Sequence, residues 1–70
     1  MTKEELMRRA IALSEENVKL GLGPFGSVIA RDGEIIAEAG NTVTRDNDPT
    51  AHAEVNCIRE ATRKLGTFDL

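Results

Sequence analysis

Asp32-Gly33 constrains the fold more than any other feature of the chain. These two residues readily adopt positive φ, and they sit between two short β-compatible runs, Ser27-Val28-Ile29-Ala30-Arg31 and Glu34-Ile35-Ile36-Ala37-Glu38. The pattern predicts a β-hairpin. Ahead of it, from Thr2 to Leu20, the residues Leu6, Met7, Ala10, Ile11, Leu13, Val18 and Leu20 recur mostly at separations of three or four, the signature of one broad helical stripe. Thr2 followed by Glu5 forms a capping-box pattern, and Gly21, Gly23 and Pro24 end the helix. After the hairpin, Gly40 to Thr50 reads as a long polar loop, with Asn41, Asp46, Asn47, Asp48 and Pro49 suited to local turns. From about Ala51 a second helix is predicted, with Ala51, Val55, Ile58, Thr62 and Leu65 on one stripe and Gly66 as its stop.

The order helix, strand, strand, helix makes the chain α/β. Both helices could cover one face of the hairpin, while its edges stay open. The 70 residues leave room for one small domain and no second one. Hydrophobic residues at 40% and charged residues at 30% describe a globular balance, and since the aromatics are only Phe25 and Phe68, the core must be mostly aliphatic. A net charge of -3 withholds the positive field that nucleic-acid backbones attract, so a nucleic-acid partner is not expected. Cys57 is the lone cysteine and Met1 to Arg9 carries alternating charge in place of an apolar signal core, which points to the cytoplasm. No stretch approaches the roughly 18 apolar residues of a membrane-spanning helix, so no membrane partner is expected either.

The chemistry is concentrated in Asn47-Asp48-Pro49-Thr50-Ala51-His52-Ala53-Glu54-Val55-Asn56-Cys57. The only histidine lies two residues before a glutamate, in the first turn of the second helix. An imidazole can bind zinc while a nearby carboxylate moves protons. In mid-helix, side chains two apart diverge by about 200°, so His52 and Glu54 can share a site only over the helix N-terminus. The plain structural alternative is a surface histidine beside a glutamate that complements the helix dipole. Cys57, five positions after His52, points about 140° away from it and reads as a buried free thiol. Asp46 and Asp48 lack the glycine and terminal glutamate of an EF-hand loop, so turns and capping account for them. Arg8, Arg9, Arg59, Arg63 and Lys64 sit among acids and read as solvated helix faces.

Four segments together resemble the cytidine deaminase superfamily, most closely its guanine deaminase branch. They are Gly23-Pro24-Phe25-Gly26-Ser27-Val28-Ile29, Asp32 through Glu38, Asn41 with Asp48-Pro49-Thr50-Ala51-His52-Ala53-Glu54-Val55, and Ile58-Arg59. The resemblance implies a three-layer α/β/α fold of which residues 1–70 supply an incomplete amino-terminal α-β-β-α portion of a single deaminase domain. It implies Zn2+ as cofactor, His52 as a metal ligand and Glu54 as the catalytic proton shuttle. It also implies that Asn41, Phe25 and Ala53 bind a small-molecule purine. The expected reaction is hydrolytic deamination of guanine to xanthine and ammonia, by a protein that forms a homodimer as its relatives commonly do. For Asn41 an Asx-turn at the strand end remains an equal alternative, and for Phe25 a core contact.

The resemblance stops before the Pro-Cys-x-x-Cys segment that supplies the other two zinc ligands in this family. Residues 1–70 alone are therefore expected to be inactive. A truncated deaminase is the expected explanation, ahead of a fragment completed by a second chain or a module without catalysis. A tRNA adenosine deaminase, which shares the run from Asp48 to Glu54, is the alternative enzyme, and a non-catalytic oligomerisation fragment is the alternative of another class. Phe25 in the Pro-Phe-Gly segment and the acidic balance favour the guanine branch.

Overall fold

The computed structural model describes residues 1–70 as α1 (Lys3–Lys19), β1 (Gly26–Arg31), β2 (Glu34–Gly40), α2 (Val43–Asp46) and α3 (Ala53–Leu65). The predicted capping box starts α1: Glu5 N–H donates to Thr2 Oγ1 (3.1 Å) and Thr2 N–H donates to Glu5 Oε1 (2.9 Å). At its other end Gly21, at φ 76°, closes a Schellman turn in which Leu22 N–H donates to Asn17 O and Gly21 N–H to Val18 O.

Asp32 (φ 52°) and Gly33 (φ 80°) form the tight turn of the antiparallel hairpin. Its register pairs Gly26 with Gly40 and Ile29 with Ala37, then shifts so that Ala30 meets Ile35, which leaves Ile36 as the extra residue of a bulge. Each strand runs further than predicted, back to Gly26 and on to Gly40. Those two glycines pair with each other under α1, where a side chain would not fit.

Alternation along the strands separates the helices. A β-carbon on Gly26 would lie 2.5 Å from the Ala10 carbonyl oxygen, one on Gly40 would meet Asn17, and Glu38 binds Arg9, so that face belongs to α1. On the opposite face Ala37, Ile29, Ile36 and Ala39 pack with Cys57 and Ala61 of α3. The helices therefore do not share one face, as the sequence reading expected. The hairpin is the middle of three layers. The reason is visible in Val28-Ile29-Ala30 and Ile35-Ile36-Ala37, whose unbroken apolar runs suit a sheet covered on both sides.

The buried residues of α3 are Ala53, Cys57 and Ala61, four apart. Of the predicted stripe Ala51, Val55, Ile58, Thr62 and Leu65, Ala51 is buried but lies ahead of the helix, Val55, Thr62 and Leu65 are half-buried, and Ile58 is 48% exposed. Small side chains let the helix approach the hairpin closely, which decides the facing in favour of the alanines. On α1 likewise, Met7, Ile11 and Val18 are exposed while Asn17 is buried. Arg9 departs from the expected solvated face: its guanidinium holds Glu38 in a bidentate pair, at 2.6 and 2.8 Å. That contact keeps the Glu38 carboxyl below the usual carboxylate range.

The predicted loop contains a helical turn. In α2, Asn41 Oδ1 accepts from Val43 N–H (3.2 Å), Thr42 Oγ1 donates to Asp46 Oδ2 (2.7 Å), and Asn47 in the left-handed region ends it. Four residues carry no periodicity that a sequence pattern can register. No helix is long and apolar enough to cross a membrane.

Candidate functional site

All five candidate residues lie on segments that meet where the open end of the hairpin adjoins the N-terminus of α3. Asn41 N–H donates to Phe25 O (3.3 Å), which joins the two strand ends. A β-carbon on Gly23 would lie 3.4 Å from both the Asn41 carboxamide carbon and the Phe25 ring, so these two side chains flank the same small residue. Thr42 N–H donates to Ala51 O (2.9 Å), which ties the residue after Asn41 to the residue before His52. Glu54 follows in the first turn of α3.

The helix begins at Ala53 and not at Ala51. His52 is its N-cap, with φ -72° and ψ 156°. Extended dihedrals at His52 remove the divergence that two mid-helix positions would have, which is what a shared site with Glu54 requires. The His52 side chain is exposed and makes no capping hydrogen bond. Glu54 is exposed as well and joins none of the chain's ion pairs. An exposed imidazole with no capping role could supply one nitrogen donor to zinc, and an exposed carboxylate two residues on, outside any ion pair, could handle protons there. No group of three or more His, Cys, Asp or Glu side chains that could hold a metal ion by itself converges in residues 1–70.

The other candidates divide. Phe25 is 59% exposed and has no core role. The core contact left open for it is thereby corrected, and the reason is its position before β1, outside the three packed layers. Asn41 does form the Asx-type turn through its amide oxygen, while the structure gives its Nδ2 no partner. Ala53 is only 3% exposed, so its methyl group is packed and its backbone N–H at the helix start is what it can offer a ligand. Cys57 is fully buried, with Sγ donating to Ala37 O (3.4 Å) and Ser27 O (3.5 Å), and burial pushes its thiol pKa up. It is a core residue. Asp46 is held by Thr42 and Arg45, and Asp48 accepts from the Thr50 N–H (2.9 Å) and hydroxyl (2.7 Å), which are the turn roles expected of them. A shallow groove runs elsewhere, along β2 and α3, lined by Glu38, Arg45, Glu60, Arg63 and Lys64 among others, and it includes neither His52, Glu54, Phe25 nor Asn41.

Sequence reasoning missed Asn17 and Asn56. Asn17 Nδ2 donates to Asn41 O (2.9 Å) and Gly23 O (3.1 Å), and Asn56 Nδ2 donates to Gly40 O (2.9 Å), Thr42 Oγ1 (2.9 Å) and Ala51 O (3.2 Å). For Asn17 the available signal was a polar residue continuing the half-buried stripe Leu6, Ala10, Leu13 of α1.

A helix and a hairpin followed by a helix whose N-cap histidine lies two residues before a glutamate make an α-β-β-α layout found in the cytidine deaminase-like fold. The chain belongs to the cytidine and deoxycytidylate deaminase family, whose zinc-binding region matches residues 1–70. It is 54% identical to the guanine deaminase of Bacillus subtilis, over 100% of this chain and 46% of that protein. It is 42% identical to a tRNA-specific adenosine deaminase of Aquifex aeolicus, over 96% of this chain and 44% of the relative. The crystal structure of the Bacillus subtilis guanine deaminase superposes with a TM-score of 0.96 over 100% of this chain and 45% of that one, and shows this α-β-β-α unit to be a fragment of the cytidine deaminase-like fold. A structure of a tRNA:A34 deaminase, 35% identical, gives 0.92 over 97% of this chain and 52% of its own. The chain thus spans about half the length of the curated relatives it matches.

Proposed function

We propose that this chain is the amino-terminal part of a single deaminase domain that hydrolyses guanine to xanthine and ammonia, with His52 as a zinc ligand and Glu54 as the proton-transferring residue. The observation that carries the guanine reading is the pairing of Phe25 and Asn41 around Gly23. An exposed aromatic ring beside a carboxamide with an unused Nδ2 supports binding of a flat, polar base by stacking and hydrogen bonding. The higher identity to a guanine deaminase than to the tRNA-directed relative points the same way.

Zinc, when bound, supplies Lewis-acid activation of a water at neutral pH. His52 contributes a nitrogen donor from a backbone held outside the helix. Glu54 would take one proton from the attacking water and pass it to the ring nitrogen beside the amine-bearing carbon, then carry the proton of the added hydroxyl to the amine, so that the C–N bond breaks, ammonia leaves and the oxo group forms; an exposed carboxylate outside any ion pair is suited to that task. Ala53 orients the base through its N–H. The remaining metal ligands come from outside residues 1–70.

The test is Glu54→Gln in the full-length protein. The amide keeps the size of the side chain but cannot move the proton, so turnover of guanine should fall by roughly 10²–10⁴-fold or more while zinc content stays at the wild-type level. Undiminished guanine turnover would remove Glu54 from the mechanism. Turnover of an adenosine-containing tRNA anticodon stem, with none of guanine, would move the protein to the tRNA-directed reading.

A further inference from the structure

We propose that Asn17 and Asn56 are positioning residues, two side-chain amides that fix Asn41 between Phe25 and His52; the proposal rests on the deaminase reading above. Gly40 and Thr42 flank Asn41 in sequence, and Ala51 immediately precedes His52. Asn56 Nδ2 reaches all three, at 2.9, 2.9 and 3.2 Å, so one carboxamide joins the base-binding strand end to the segment that aims the imidazole. From the opposite layer, Asn17 Nδ2 donates to the carbonyl of Asn41 itself (2.9 Å) and to Gly23 O (3.1 Å), with a longer contact to Phe25 O (3.5 Å). Each amide carries two hydrogens, so one hydrogen is shared wherever three acceptors are reached.

Neither residue is explained by helix formation. Asparagine is a mediocre interior helix residue because its side chain competes for backbone groups, and here both side chains donate out of their own helices. Asn17 is 7% exposed, and a methyl at Gly40 would lie 2.3 Å from Asn17 Oδ1, so the glycine makes the room that the carboxamide fills. The two residues act on different groups. Asn17 touches only the Phe25–Asn41 side, whereas Asn56 also reaches the His52 side.

That division gives the test, made in the full-length protein with Asn17→Ala and Asn56→Ala. Both changes lower thermal stability for any buried amide, so the readout is the split between substrate and metal. Asn17→Ala is expected to raise KM for guanine about tenfold with unchanged zinc retention, and Asn56→Ala to lose zinc to a chelator about tenfold more readily. Wild-type KM and wild-type zinc retention in the folded fraction of both variants would overturn the proposal. If a variant fails to fold, side-chain amide exchange in the unsubstituted protein decides. Signals of Asn17 and Asn56 exchanging about tenfold more slowly than a free carboxamide are expected, and free-carboxamide rates overturn the proposal. Absence of guanine turnover in the unsubstituted protein would instead refute the functional reading, while zinc loss from Asn56→Ala and the amide exchange still judge the clamps.

Discussion

His52 occupies a helix N-cap without capping the helix. Serine, threonine, aspartate and asparagine are preferred at this position because their oxygens accept from the free N–H groups of the first turn, and the His52 side chain makes no such bond. A position that forgoes a local stabilising contact is a candidate for function. His52→Ser in the full-length protein should therefore act in two directions: the metal-free protein gains about 0.5–1 kcal/mol in stability, and zinc retention falls. Melting of the metal-free protein and elemental analysis check the pair, and unchanged zinc content would refute the ligand assignment. His52 stood out as a candidate in the sequence because the residues around the His52-Ala53-Glu54 triplet, from Asp48 to Val55, form a family-like run, the triplet alone being a weak pattern. Asn17 and Asn56 did not, since what distinguishes them is the set of carbonyls they meet, and those lie 14 to 24 residues away for Asn41, Gly40 and Thr42.

Between elements, α1 lies close on β1 at Gly26. A methyl there would meet the Ala10 carbonyl at 2.5 Å, Leu13 Cβ at 2.8 Å and Ser14 N at 2.9 Å, all atoms of a helix that cannot rotate aside. Gly26→Ala should destabilise the full-length protein by about 1–3 kcal/mol, seen as a lowered melting temperature. An unchanged melting temperature would mean that α1 sits further from the sheet. The other tie between these layers is ionic. Arg9 depresses the Glu38 pKa, so the pair contributes stability that is present above the ordinary glutamate range, near 4.5, and is lost as pH falls through the lower folded-state value. Acid titration should accordingly show Glu38→Gln losing less stability than the wild type below about pH 4.5. At this scale the hairpin and both long helices could be read from turn chemistry and periodicity. The facing of the helices could not, because Ala53, Cys57 and Ala61 win their place by allowing close approach, a property that a hydrophobic stripe does not rank.

For the whole molecule the decisive quantity is how little of it is interior: seven of 70 residues are buried, and the buried apolar ones are four alanines and a cysteine. Met7, Ile11 and Val18 leave an apolar strip on α1, Ile58 another on α3, and each strand of the two-stranded sheet keeps one unpaired edge. Those surfaces match a unit that spans about half of its relatives' length, since a sheet that grows by further strands pairs an edge and gives the helices something to cover. A core this small gives a 70-residue chain little burial to set against the entropy of ordering. Residues 1–70 expressed by themselves should thus melt at lower temperature and with less cooperativity than the full-length protein, and should associate as concentration rises. Circular dichroism and light scattering together check this. A monomer with a sharp transition at the full-length melting temperature would mean that the three layers suffice on their own and that the exposed strips serve contacts other than completion of the sheet.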